Sequence, residues 1–195
     1  MNHLIKERSY WQRQLADIPY SADLPTDISN KSEPASDCGN DPVVIHIARD
    51  SMNALVTIAQ NSNVTLMTLL LAAFQVLIAR HTNQDHIAVA TPVTRRSYPE
   101  TDYLIGCFDN LVFVRIDLSD NPIFTHLLKR VYHTVIEAMD YCAIPLPQIS
   151  QSLWQVPPKL IARPITFSWT HLTDTFSNTK HLEGELYESG FATNS

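Results

Sequence analysis

The run from Leu66 to Ala79 limits the architecture more than any other stretch, because only Thr68 and Gln75 interrupt its apolar character. At helical spacing it is apolar on nearly every side, so protein has to cover it on more than one face. It falls short of the roughly 20 apolar residues that a membrane-spanning helix needs. The segment therefore belongs at the centre of a core, as a helix from Leu66 to about His81 with Thr65 as its cap. A chain of 195 residues, 45% hydrophobic and 17% charged, can supply that cover. We expect one compact unit.

Other elements arrange themselves around this helix. Leu4 to about Ile18 reads as a helix with Leu4, Trp11 and Leu15 on one face, ended by Pro19. Residues 19–41 are rich in Pro, Ser, Asp and Asn and read as a surface connection, with Leu24 and Ile28 as anchors. The β-branched run Val43 to Ala48 suits a strand. Asp50 or Ser51 can then cap a helix from Met52 to about Gln60. Ile87 to Pro92 reads as a buried strand that Pro92 terminates. Leu111 to Leu118 reads as another, with Val112, Val114, Ile116 and Leu118 on one face and Arg115 and Asp117 on the other. Asp120-Asn121-Pro122 signals the start of a long helix that reaches Ala143 and is bounded by Pro145 and Pro147. An apolar segment Ile149 to Trp154 follows, then a strand Pro164 to Trp169, then a polar tail with Leu182, Leu186 and Tyr187 as strand candidates. This alternation implies an α/β class, a layered sandwich of sheet against helices.

Charge and cysteine usage exclude several classes of function. A net charge of -6 leaves no basic field for nucleic acid, and Arg95-Arg96 is the only basic pair outside the helices. Cys38, Cys107 and Cys142 are far apart and form no Cys-x-x-Cys pair, so neither a disulfide framework nor a zinc site is indicated. His133 and Glu137 share a helix face but lack a third ligand, which leaves no metal site. The first residues carry mixed charge and no secretory pattern. A cytoplasmic protein with no membrane association is expected.

Several motifs, in order, resemble the condensation domains of nonribosomal peptide synthetases. Tyr10-Trp11-x-x-x-Leu15 followed by Leu24-Pro25-Thr26-Asp27 is similar to the bridge between that family's two halves. Thr65 to Arg80, then Gln84-Asp85-His86-Ile87 and Thr91-Pro92-Val93-x-x-Arg96, follow the family's series. Ile105-Gly106-Cys107-Phe108-Asp109-Asn110 resembles its Ile-Gly-x-Phe-Val-Asn motif, with Asp109 where a small apolar residue is usual. Pro145 keeps one position of a later motif, and Arg163-Pro164-Ile165-Thr166-Phe167 is similar to Arg-Asn-Pro-Leu-Phe without the Asn. The resemblance implies one lobe, the C-terminal one, of a chloramphenicol acetyltransferase-like fold. It divides the chain into an N-terminal helix at 1–18, a linker at 19–41, the lobe at 42–170 and a divergent tail at 171–195.

The resemblance also implies chemistry. Condensation domains join an acyl group to an amine, both carried on the phosphopantetheine arms of carrier proteins, and the domain itself binds no cofactor. Their His-His-x-x-x-Asp-Gly signature has no counterpart here, where none of the eight histidines adjoins another. No catalytic residue is assigned. Arg96 is expected to pair with the signature Asp of the other lobe, or else to be a solvated arginine beside Arg95. Asn110 is expected to bond backbone across the tunnel or to cap a turn locally. Thr91, Pro92, Gly106, Phe108, Pro145 and Arg163 are expected to be structural, with Gly106 allowing a bend that Ala could not adopt. Cys142 is read as packing. Three functions follow: a lobe completed by a first-lobe partner chain or by self-association, a non-catalytic module binding carrier proteins or synthetase modules, or a truncated remnant.

Overall fold

A computed structural model describes residues 2–16, 24–25, 43–96, 99–145, 147–149 and 164–169. Its elements are α1 (Asn2–Gln14), α2 (Arg49–Asn61), α3 (Leu66–Thr82), β1 (His86–Thr94), β2 (Asp109–Asp117) and α4 (Phe124–Asp140). The expected apolar segment beyond Ile149, most of the linker, Arg163 and the tail lie outside the described residues.

Helix α3 is capped as expected, with Thr65 Oγ1 accepting from the Thr68 amide at 3.1 Å. Asn83 closes it in the left-handed conformation, φ 53°. It packs on α2, α4 and β1. Cover is not complete, because Ala73, Leu77 and Arg80 form a stripe on which Leu77 is half exposed. Gln75, the polar break in the apolar run, is fully buried and donates from Nε2 to the Val114 carbonyl at 2.8 Å. That bond ties the central helix to the sheet.

Strands β1 and β2 pair antiparallel, with Val89 opposite Val114 and Ala90 opposite Phe113. Ile87, Val89, Val114 and Ile116 join the buried faces of α3 and α4 in one apolar cluster. Ala88, Ala90 and Phe113, from the opposite face, join Tyr10, Trp11 and Leu15 of α1 in another. Both faces of the hairpin are thus buried. Pro92 does not end β1, which runs on to Thr94. The Ala90 amide and carbonyl bond Ile165 and Phe167, so Ala90 turns its backbone away from β2. Pro92, two residues on, turns the same way, and its missing N–H leaves the hairpin ladder intact. The expected strand at Pro164 to Trp169 is present as a single parallel bridge, Ala90 to Thr166.

Other boundaries shift for identifiable reasons. Val43 to Ala48 forms no strand and is exposed throughout. No described segment pairs with its backbone as a strand, and β-branched composition alone does not make one. Helix α2 starts at Arg49 with Ala48 as its cap residue, so Asp50 and Ser51 lie within the first turn instead of capping it. Asp50 there faces the positive end of the helix dipole. Helix α4 starts at Phe124, because Asp120-Asn121-Pro122 forms the preceding turn, with Asn121 at φ 45° and its amide bonded to Leu118. Asp120 pairs with Arg130. No single helix among the described residues is long and apolar enough to cross a membrane.

Candidate functional site

The motif residues Arg96, Gly106, Phe108 and Asn110 gather where β1 ends and β2 begins. Residues 95–108 form the connecting loop, closed at its base by the Arg95 amide donating to the Phe108 carbonyl at 2.9 Å. A short 3-10 turn at Pro99–Thr101 shapes its far side. Arg96 is half-buried and donates from Nη1 to the carbonyls of Thr101 and Leu104. Its guanidinium carbon lies 4.4 Å above the centre of the Phe108 ring, a cation–π contact. Arg96 therefore holds its own loop together, neither solvated nor idle.

Gly106 is required for space and not for a special bend, since its φ is not positive. A Cβ there would stand 3.2 Å from the Phe108 ring. Close packing of this glycine keeps Phe108 under Arg96. Thr91 is buried opposite Val112, whereas Pro92 is exposed. Pro145 is exposed too, and its carbonyl accepts the amides of Gln148 and Ile149.

Asn110 lies opposite Val93 and commits its side-chain amide to backbone. Nδ2 donates to the carbonyls of Cys142 and Ile144, both at 2.9 Å, and Oδ1 accepts from the Leu111 amide at 2.9 Å. This tie draws the segment after α4 onto the start of β2. The expected helix to Ala143 consequently stops at Asp140, since these carbonyls bond Asn110 in place of a further helical turn.

The same segment is held from its other side by α1, through residues that sequence reasoning missed. Glu7, fully buried, accepts the Ile144 amide on Oε1 at 2.7 Å. Trp11 donates from Nε1 to the Tyr141 carbonyl at 2.7 Å, and Tyr10 stacks on Tyr141 with ring centres 4.5 Å apart. Leu4, expected on this face, is exposed. Glu7 stands four residues before Trp11, the helical spacing that could have flagged it. Arg115 donates to the carbonyls of Gln14 and Ala16, placing a cation at the negative end of α1.

This end of the sheet offers hydrogen-bond donors but no base or activated nucleophile among the described residues. Burial pushes the Cys142 thiol above its ordinary pKa, although Arg95 opposes the shift. His81 ends α3, His86 opens β1 and His126 lies in the first turn of α4, all at the opposite end of the hairpin. A cleft of about 500 Å³ lined by Arg80, Asp85, Leu118 and Phe124 also lies there. The arrangement around Arg96 can position a loop and a neighbouring segment; it cannot itself accept a proton.

Comparison with known proteins gives this geometry its context. The family model described as Condensation domain matches residues 1–188. The chain is 33% identical over 150 residues to a linear gramicidin synthase of Brevibacillus parabrevis, covering 77% of this chain and 3% of that protein. It therefore spans a small fraction of that relative's length. A four-domain nonribosomal peptide synthetase, holo-AB3403, superposes with a TM-score of 0.75 at 20% identity, over 88% of this chain and 13% of that one. The first condensation domain of the CDA synthetase superposes with a TM-score of 0.65 at 15% identity, over 81% of this chain and 34% of that one. At those identities the likeness is one of fold, and it agrees with the α/β, chloramphenicol acetyltransferase-like lobe. A match spanning nearly every residue, carried by the segments that build the Arg96 loop and its neighbours, makes this chain a member of the condensation-domain family of nonribosomal peptide synthesis.

Proposed function

We propose that this chain serves as the C-terminal lobe of a condensation domain in amide-bond formation, with the proton-accepting histidine contributed by a lobe outside these 195 residues. In the reaction, the amine of a carrier-bound aminoacyl group attacks a carrier-bound acyl thioester. A C–N bond forms, the C–S bond breaks, the amine proton passes to the imidazole and the thiol leaves. The phosphopantetheine arms belong to the carrier proteins, so the lobe needs no prosthetic group of its own. Under this reading Arg96 is a positioning residue, fixing the loop and pairing with the signature Asp of the other lobe, and the assembly works in the cytoplasm among synthetase modules.

One observation carries the reading: in a chain matched to the family over residues 1–188, no two histidines adjoin and none of the described ones in α3, β1 or the start of α4 lies at the Arg96 end. General base catalysis needs a titrating group within hydrogen-bond reach and contributes about 10²–10⁴-fold in rate. An amide-formation assay with loaded carrier proteins tests it, comparing this chain alone, a His-His-x-x-x-Asp-Gly lobe alone, and both together. Product is expected only from the pair. Turnover by this chain alone would overturn the reading.

A second reading, a non-catalytic module that binds carrier proteins or synthetase modules, draws support from Asn110, whose amide is committed to Leu111, Cys142 and Ile144. Binding of a loaded carrier protein with no product from the pair would favour it.

A further inference from the structure

Beyond Arg96, the loop presents Tyr103, Leu104 and Ile105 in succession, at 93%, 55% and 105% exposure. Exposed apolar residues scattered singly need no explanation, but a consecutive trio at a loop tip is a concentrated apolar surface. The tip is braced from beneath. The Asp102 amide donates to Pro99 and the Leu104 amide to Thr101, at 3.2 Å each. Arg96 holds the carbonyls of Thr101 and Leu104 while Phe108 packs under its guanidinium. A backbone already ordered this way loses little freedom when its side chains enter a pocket, so the cost of docking is low.

Charge narrows the occupant. Glu100 and Asp102 precede the tip and Asp109 follows it, all exposed, with no Lys or Arg from Pro99 to Val114. An acidic collar opposes a second copy of the same loop on a chain of net charge -6, and it opposes an anionic lipid surface. It suits an apolar pocket rimmed by Lys or Arg. The matched part of the CDA synthetase domain is only 34% of that chain, so the shared fold has a further body to set against this one.

We propose that Tyr103, Leu104 and Ile105 form the anchor by which this lobe docks on an apolar, basic-rimmed pocket of the histidine-bearing lobe. The inference rests on the function proposed above. The test measures binding of the full chain to a purified His-His-x-x-x-Asp-Gly lobe from a related synthetase, its folding checked by circular dichroism. Compared with the unsubstituted chain, the double variant Tyr103→Ser/Ile105→Ser is expected to bind at least tenfold more weakly, through faster dissociation. Asp102→Lys is expected to slow association several-fold at low salt, and both variants should melt where the unsubstituted chain does, since the altered side chains are exposed.

Binding by the double variant within twofold of the unsubstituted chain overturns the anchor while leaving the proposed function standing. Failure of the unsubstituted chain to bind overturns both. Sedimentation that shows a dimer of this chain, dissolved by the double variant, overturns the anchor in favour of a second copy.

Discussion

Tyr10 carries a buried hydroxyl with no hydrogen-bond partner among the described residues. Burial, and then the charge of Glu137, push its pKa well above the ordinary tyrosine value. A raised folded-state pKa means that stability is complete below the unfolded value of about 10 and is lost as pH rises through the folded value. Tyr10→Phe removes both the unsatisfied group and the alkaline loss. Urea unfolding should therefore show the variant more stable by about 1 kcal/mol at pH 7, with the gap widening above pH 10. An unchanged alkaline slope would contradict this account. Asn110 poses the opposite case, since Asn110→Ala strands the carbonyls of Cys142 and Ile144. A loss of about 1–3 kcal/mol is expected, together with faster amide exchange at Ile144, whose N–H depends on the placement of that segment against Glu7. Residue types were legible here without their partners: Asn110 stood out by motif, yet its bonds reach 32 and 34 positions along the chain.

Among the elements, Val43 to Ala48 departs furthest from its composition. Val43, Val44 and Ile45 are 87%, 66% and 81% exposed in a segment outside the sheet. A β-branched stretch with unpaired backbone is a template for intermolecular pairing. Ile45→Lys should slow aggregation, followed by light scattering at rising concentration, while changing unfolding stability by no more than about 0.5 kcal/mol. Equal aggregation rates would show that this stretch does not drive association. The other elements were legible from periodicity because their faces repeat every 2 or 3.6 residues. Misplaced ends came from contacts beyond that reach, such as the Asn110 bonds that stop α4 at Asp140.

For the whole molecule, the two clusters join α1, the hairpin and α4 into one body, and the Arg96 end carries both the motif residues and the exposed loop tip. Asp117 has its pKa lowered, first by the backbone bond from Ser119, and Asp120 has its pKa lowered by Arg130. Depressed folded-state values contribute stability above the unfolded pKa of about 3.9, lost as pH falls through the folded values. Both groups are exposed, so that acid contribution is small. Ligation is the larger lever. A histidine-bearing lobe at a hundredfold excess over its Kd should stabilise this chain by about 2.7 kcal/mol, read as a rise in Tm with partner concentration. A Tm independent of that lobe would count against the pairing.

By itself the sequence determined the buried helix Leu66–Thr82, the two-faced strands around Val89 and Val114, and the family, because each is written in local periodicity or in ordered motifs. Tertiary structure alone decided that Glu7 is buried, that Trp11 meets Tyr141 across 130 positions, and that Val43 to Ala48 remains outside the sheet. Helical and extended backbones set which way a side chain points within a few residues. What it meets depends on the path of the whole chain, and these bonds form only where that path brings distant backbone within about 3 Å of a side chain.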